Sequence, residues 1–129
     1  MTAPLTGKNV LLVDDDPAVL QLVRQWLSSA GYTVIACDRF ETAKQHLAAQ
    51  APDILVTDVR LGAYNGLQLV ILAKQQGPQV AAVVMSAFDD PTLRKEAAQS
   101  GAGYVNKPCT RDQVLTAVVE AVSSPTVKI

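Results

Sequence analysis

Apolar residues in this chain gather into short runs, and a polar residue closes each one. Val10-Leu11-Leu12-Val13 runs into Asp14, Asp15 and Asp16, and Ile54-Leu55-Val56-Thr57 into Asp58. Residues 80–85 run into Ser86, and Gly103-Tyr104-Val105-Asn106 into Lys107 and Pro108. A short unbroken apolar run reads as a strand buried on both faces, so each polar residue stands at a strand's carboxyl end. Between the runs the spacing turns helical. After Pro17, Val19, Leu22, Val23, Trp26, Leu27 and Ala30 share a face, and Gly31 stops the helix. Residues 32–36 read as a second strand, and Asp38 with Glu41 as a capping box for a helix carrying Ala43, Leu47 and Ala48. A polar loop is expected from Asp58 through Asn65 and Gly66, then a helix bearing Leu67, Leu69, Val70 and Leu72 that closes at Gly77 and Pro78. Asp90 caps a helix opened by Pro91 and ended by Gly101, and Thr110 with Gln113 caps a last helix over 111–122. Strand and helix thus alternate, which predicts an α/β fold with a parallel sheet of five strands and right-handed crossovers. The carboxyl ends of such strands share one edge, where ligands bind. The polar residues therefore read as one site.

Composition narrows the picture. A chain of 129 residues is read as one domain, with a core over 8–122. Residues 123–125 read as a frayed end or the start of a linker, and 126–129 lie beyond it. Hydrophobic content of 49% against 18% charged suits a sheet covered by helices on both faces. Lys+Arg 11 against Asp+Glu 12 leaves a formal charge of −1, so no basic field draws in nucleic-acid phosphates, and direct DNA binding is not expected. Cys37 and Cys109 have neither the number nor the spacing of a disulfide framework or zinc site and read as reduced, packed thiols. No apolar stretch approaches the roughly 18 residues of a membrane helix, and residues 1–8 hold no signal-peptide core, so a cytoplasmic protein is expected.

Carboxylates gathered within a few ångströms repel one another and raise pKa values unless a cation joins them. Asp14, Asp15 and Asp58 thus point to a hard divalent ion, and Mg²⁺ suits a site of few carboxylates that keeps waters and room for a phosphate oxygen. Three carboxylates and the Lys107 ammonium sum to −2, which Mg²⁺ would neutralise. A carboxylate is also a competent nucleophile for phosphoryl transfer, and Asp58, alone at its strand end with small neighbours and flexible Gly62 and Gly66 behind it, is the candidate. Ser86 can donate a hydrogen bond to a phosphoryl oxygen, and Lys107 can pair with another. Asp16, before Pro17, suits a helix cap as well as metal work.

At this point the chain resembles bacterial response-regulator receiver domains. The motifs that carry the resemblance are Leu11-Leu12-Val13-Asp14-Asp15-Asp16-Pro17, Val56-Thr57-Asp58-Val59-Arg60-Leu61, Asn65-Gly66-Leu67, Val84-Met85-Ser86-Ala87 and Gly103-Tyr104-Val105-Asn106-Lys107-Pro108. It implies a flavodoxin-like doubly wound sheet, order 2-1-3-4-5, with five helices. It also implies that Asp58 accepts a phosphoryl group from a sensor histidine kinase or phosphotransfer protein. Asp15 and Asp58 would ligate Mg²⁺ directly, Asp14 largely through water, and the Arg60 carbonyl would complete the protein ligands. Ser86 would be the switch hydroxyl, Tyr104 the rotating aromatic and Lys107 the phosphate-binding lysine, with a cis bond before Pro108. Self-phosphorylation and self-dephosphorylation, not turnover, are the implied chemistry. Phosphorylation would switch the face of the fourth helix, fifth strand and fifth helix, through which a homodimer or an effector is expected. Val114, Leu115, Val118, Val119 and Val122 make a broad apolar stripe there, read equally well as core.

Two features depart from the family. Leu61-Gly62 stands where methionine-proline is usual, and Cys109 where an aromatic is common. Gly62 should loosen the loop after Asp58, and Arg60 overlooks the site as a large charged side chain that either slows or assists hydrolysis. An aspartyl-nucleophile phosphatase is a weaker reading, because Asp89 and Asp90 precede Lys107 where that family has its lysine first. A flavin carrier is disfavoured because the acids would repel the cofactor phosphate. A degenerate receiver acting only as a binding module would lack acceptor residues that are all present here. The chain reads as a stand-alone receiver or as a piece of a longer regulator.

Overall fold

The computed structural model describes residues 7–123. The elements are β1 (Asn9–Val13), α1 (Pro17–Ser29), β2 (Thr33–Cys37), α2 (Phe40–Ala49), β3 (Ile54–Asp58), β4 (Arg60–Leu61), β5 (Tyr64–Asn65), α3 (Leu67–Gln76), β6 (Ala81–Ser86), α4 (Pro91–Gln99), β7 (Ala102–Asn106) and α5 (Arg111–Ser123). Five parallel strands form the sheet in the order β2-β1-β3-β6-β7, with β4 and β5 a separate antiparallel ribbon. Set that ribbon aside and the main strands read 2-1-3-4-5 along the chain, as the resemblance implies.

The unbroken apolar runs become strands buried on both faces because helices cover both. Leu11, Val13, Leu55 and Val84 pack with Ala43 and Leu47 of α2, Val70 of α3 and Ala97 of α4. The alternate residues Val10, Leu12, Val56 and Met85 pack with Val23 and Leu27 of α1 and with Val114 and Val118 of α5. Leu12, Leu55 and Met85 are fully buried, and shortening any of them to alanine is worth about 2–5 kcal/mol of stability. The register sets Val13 beside Thr57, Asp58 beside Met85, and Ser86 beside Asn106, which lines up the strand ends on one edge.

Most helix signals hold. Asp90 accepts from Thr92 N–H at 2.8 Å, and Thr110 and Gln113 exchange reciprocal bonds at 3.1 and 2.9 Å. The Asp38–Glu41 capping box does not form. Arg39 is the residue before α2 and no side chain caps it, because Phe40, buried and stacked on Tyr64 at 4.4 Å, fixes the helix start one residue beyond Asp38. The polar loop after Asp58 contains the β4–β5 ribbon, whose two-residue strands are too short to show periodicity. Gly62, at φ 62°, turns it.

Along the α5 stripe Val114 and Val118 are core, whereas Val119 is 40% exposed. Ser123 is the last residue of α5; Ser124, Pro125 and residues 126–129 lie outside the described residues. Among the described residues no helix is long and apolar enough to cross a membrane.

Candidate functional site

Asp14 follows β1, held by its N–H donating to the Cys37 carbonyl at 3.1 Å. Its Oδ1 accepts from Asp16 N–H at 2.9 Å, while Asp16 turns away to cap α1, accepting from Ala18 N–H at 3.0 Å. Both uses open to Asp16 in the sequence thus resolve to the cap. Asp15 is exposed, and its Oδ2 accepts from Gly62 N–H at 3.2 Å. Gly62 therefore ties the loop after Asp58 to the acidic cluster, the opposite of the loosening expected from a glycine. Gly66 is not a flexible point either. It takes an ordinary helical backbone beneath Asp58 and gives its N–H to Val59 O at 2.6 Å.

Asp58 closes β3 with 7% of its surface exposed. Lys107 comes from the end of β7, where its N–H donates to the Ser86 carbonyl at 2.7 Å and a cis bond joins it to Pro108. Its ammonium lies 2.7 Å from Asp14 Oδ2 and 3.3 Å from Asp58 Oδ2. Asp14, Asp15 and Asp58 each bring a carboxylate oxygen within 4.8 Å of the others. Burial pushes the Asp58 carboxyl up to about 6, and the Asp14 charge adds to this while Lys107 opposes it. Burial alone would lower the Lys107 ammonium, but its ion pairs with Asp14 and Asp58 override burial and raise it.

This donor set fits a hard divalent cation. It is all oxygen, its mutual repulsion remains on the Asp58 carboxyl, and one lysine does not cancel three acids. The two oxygens of Asp14 are already engaged, by Asp16 N–H and by Lys107, which leaves Asp15 and Asp58 as the more available ligands.

Ser86, 1% exposed, ends β6 beside the site. Its Oγ donates to the Phe88 carbonyl and accepts from the Phe88 N–H, both at 3.1 Å. Tyr104 lies on β7, partly buried, with its hydroxyl donating to the same carbonyl at 2.6 Å. The Arg60 guanidinium sits 4.5 Å over the Phe88 ring. Arg94 of α4 lies 4.5 Å over the Tyr104 ring, pairs with Asp89 at 2.8 Å, and donates to Asn106 Oδ1. Sequence reasoning missed Phe88 and Arg94. The available signal was an aromatic two residues past Ser86, at the mouth of a strand end otherwise followed by acids.

Comparison with known proteins agrees with this geometry. The model of the response regulator receiver domain matches residues 10–119. The chain is 34% identical over 112 residues to the alginate biosynthesis transcriptional regulatory protein AlgB of Pseudomonas putida, covering 86% of this chain and 25% of that one. It is 35% identical over 118 residues to the DNA-binding transcriptional regulator NtrC of Salmonella typhimurium, covering 88% of this chain and 24% of the relative. The chain thus spans about a quarter of the length of these relatives. A CheY-like receiver domain protein from Methanospirillum hungatei superposes with TM-score 0.83 at 22% identity, covering 91% of this chain and 94% of that one. A response regulator from Burkholderia pseudomallei, solved with a phosphorylated aspartic acid, a calcium ion and citrate, superposes with TM-score 0.80 at 24% identity, covering 88% and 68%.

Proposed function

The chain belongs to the family of response regulator receiver domains, and from that premise we propose that Asp58 is its phospho-acceptor. The observation that carries the reading is the Asp14–Asp15–Asp58 cluster closed by Lys107. Asp58 alone in it combines a strand-end position, near-complete burial and a raised pKa. In the transfer an Asp58 carboxylate oxygen attacks phosphorus and the bond from phosphorus to the donor's leaving atom breaks, a P–N bond to an imidazole nitrogen in a phosphohistidine donor or a P–O bond in acetyl phosphate, and that atom departs with the electron pair. The product is an acyl phosphate, and a sensor histidine kinase or phosphotransfer protein is the proposed donor. Lys107 stays with Asp14 and offers its remaining N–H donors to the phosphoryl oxygens. Ser86 gives its hydroxyl to another on leaving Phe88.

Asp15 and Asp58 would hold Mg²⁺ with the Arg60 carbonyl, and Asp14 would contribute through water. The cation would neutralise the acids and the incoming phosphoryl charge. A response regulator of the same fold from Burkholderia pseudomallei was solved with a phosphorylated aspartic acid and a calcium ion, the class of chemistry proposed here for this chain. Residues 8–122 would act as one cytoplasmic signalling module that does not turn over a substrate. Its output face would be α4, β7 and α5, reached through Ser86 and Tyr104 and presenting Val119 to a second copy or an effector. Acetyl phosphate with Mg²⁺ should add one phosphoryl group by intact mass, and Asp58→Asn should add none. Equal labelling of the two would defeat the assignment.

A further inference from the structure

Asp15 is the least constrained of the three clustered acids. Asp58 closes a buried strand and Asp14 is fully buried against Lys107, whereas Asp15 is exposed and forms no ion pair among the described residues. The registers of β1 end at Val13 on both sides, so Asp15 stands beyond the sheet. Its carboxylate meets one hydrogen-bond donor among the described residues, the Gly62 N–H, which reaches Oδ2 at 3.2 Å. That donor is fixed from both sides. Leu61 before it is buried in the core and pairs with Tyr64 across the ribbon, and Tyr64 stacks on the buried Phe40. A held donor that faces a free carboxylate orients the carboxylate. Proline, usual at this position in the family, has no N–H to give, so the bond depends on this chain's glycine.

We propose that Gly62 is a positioning residue for the divalent cation, its N–H aiming Asp15 at the site shared with Asp58. The proposal rests on the reading of Asp15 and Asp58 as metal ligands. With one carboxylate oxygen held by Gly62 the other is left for the ion, and ligating carboxylates are ordinarily hydrogen-bonded in this way. The segment from Asp58 to Gly62, joined by this bond to Asp15, ties the direct protein ligands proposed above into one loop. Ordering Asp15 before the ion arrives removes part of the cost of immobilising it on binding. Mg²⁺ demands near-ideal octahedral geometry and gains more from a pre-aimed carboxylate than Ca²⁺, which accepts irregular ones. Gly62 thereby sets both how tightly the site holds an ion and which ion it favours.

Calorimetric titration with Mg²⁺ alone and with Ca²⁺ alone tests this. Gly62→Pro deletes the N–H, whereas Gly62→Asn keeps it on a residue that tolerates the left-handed turn at φ 62°. Gly62→Pro should lose about 10-fold in Mg²⁺ affinity, the low end for such outer hydrogen-bond partners because this one is exposed, and clearly less in Ca²⁺ affinity. Gly62→Asn should bind both ions as the parent does. Undiminished Mg²⁺ affinity in Gly62→Pro overturns the proposal. So does an equal loss for the two ions, which marks a damaged ribbon, or an equal loss in Gly62→Asn. Because proline shifts the turn itself, exchange of the Gly62 amide is also followed in the parent by nuclear magnetic resonance. Mg²⁺ should slow it several-fold by fixing the carboxylate against it, and unchanged or faster exchange overturns the proposal. A parent that binds neither ion defeats the reading of the metal ligands and takes the proposal with it.

Discussion

Gly66 lies so close beneath Asp58 that a Cβ added to it would sit 2.0 Å from the Asp58 carbonyl oxygen and 2.9 Å from Thr57 Oγ1. Thr57 Oγ1 itself donates to that carbonyl at 2.9 Å, so the last turn of β3 is gripped from below. Backbone cannot yield as a flexible side chain can. Gly66→Ala should therefore cost about 1–3 kcal/mol or more in urea unfolding and lower the rate of Asp58 phosphorylation, because the strand end that carries the carboxylate must move. Unchanged stability would mean that α3 shifts freely.

The raised Asp58 carboxyl links stability to pH. With a folded value of about 6 against an ordinary 3.8, the folded protein holds the proton more tightly than the unfolded chain. That contribution is complete below the ordinary value and is lost as pH rises through about 6. Without a divalent cation, Asp58→Asn should gain about 1–2 kcal/mol at neutral pH, after allowance for screening at the solvent edge, and almost nothing near about pH 4. Thermal unfolding at the two pH values checks this. A gain of equal size at both would assign it to something other than the charge.

Lys107 should show the opposite sign. Asp14 is fully buried and its Oδ2 faces that ammonium. Lys107→Ala should cost about 3–5 kcal/mol at neutral pH by leaving the carboxylate unpaired, and Mg²⁺ should recover part of the loss. Denaturant midpoints with and without the ion measure it. A loss that the ion leaves untouched would separate Lys107 from the proposed metal centre.

Neighbouring acids should separate by role. Asp16→Ala removes the cap of α1 and should cost about 1 kcal/mol while leaving Mg²⁺ affinity nearly intact. Asp15→Ala should leave stability nearly unchanged and weaken Mg²⁺ binding many-fold. The magnesium-induced shift in unfolding temperature reads both. Equal effects on affinity would move the metal centre off Asp15.

Ser86→Ala removes both side-chain bonds to Phe88 and should leave Asp58 labelling largely intact while separating it from association. Sedimentation of parent and variant, with and without a beryllofluoride mimic, decides the point. A variant that still responds fully would remove the role given to Ser86.

The sequence by itself determined the α/β fold and the edge on which the chemistry lies. Strands buried on both faces must be unbroken apolar runs, so the runs at Val10, Ile54 and Val80 and the polar residues ending them could be read directly. Local caps were legible for the same reason, since Asp90 and Thr110 act within a few residues of themselves. Asp38 failed because a distant partner, Tyr64, stacks on Phe40 and sets where α2 begins. Tertiary structure alone decided how tightly the site is built. Gly66 reads in sequence as freedom and in space as the only residue that fits under the Asp58 carbonyl. Gly62 reads as slack and proves to be a tether to Asp15. Arg60, Phe88 and Tyr104 lie far apart along the chain and meet only because β3, β6 and β7 are neighbours in one sheet. Periodicity records which face a residue takes, whereas such meetings depend on strand order and register, to which no local pattern is sensitive.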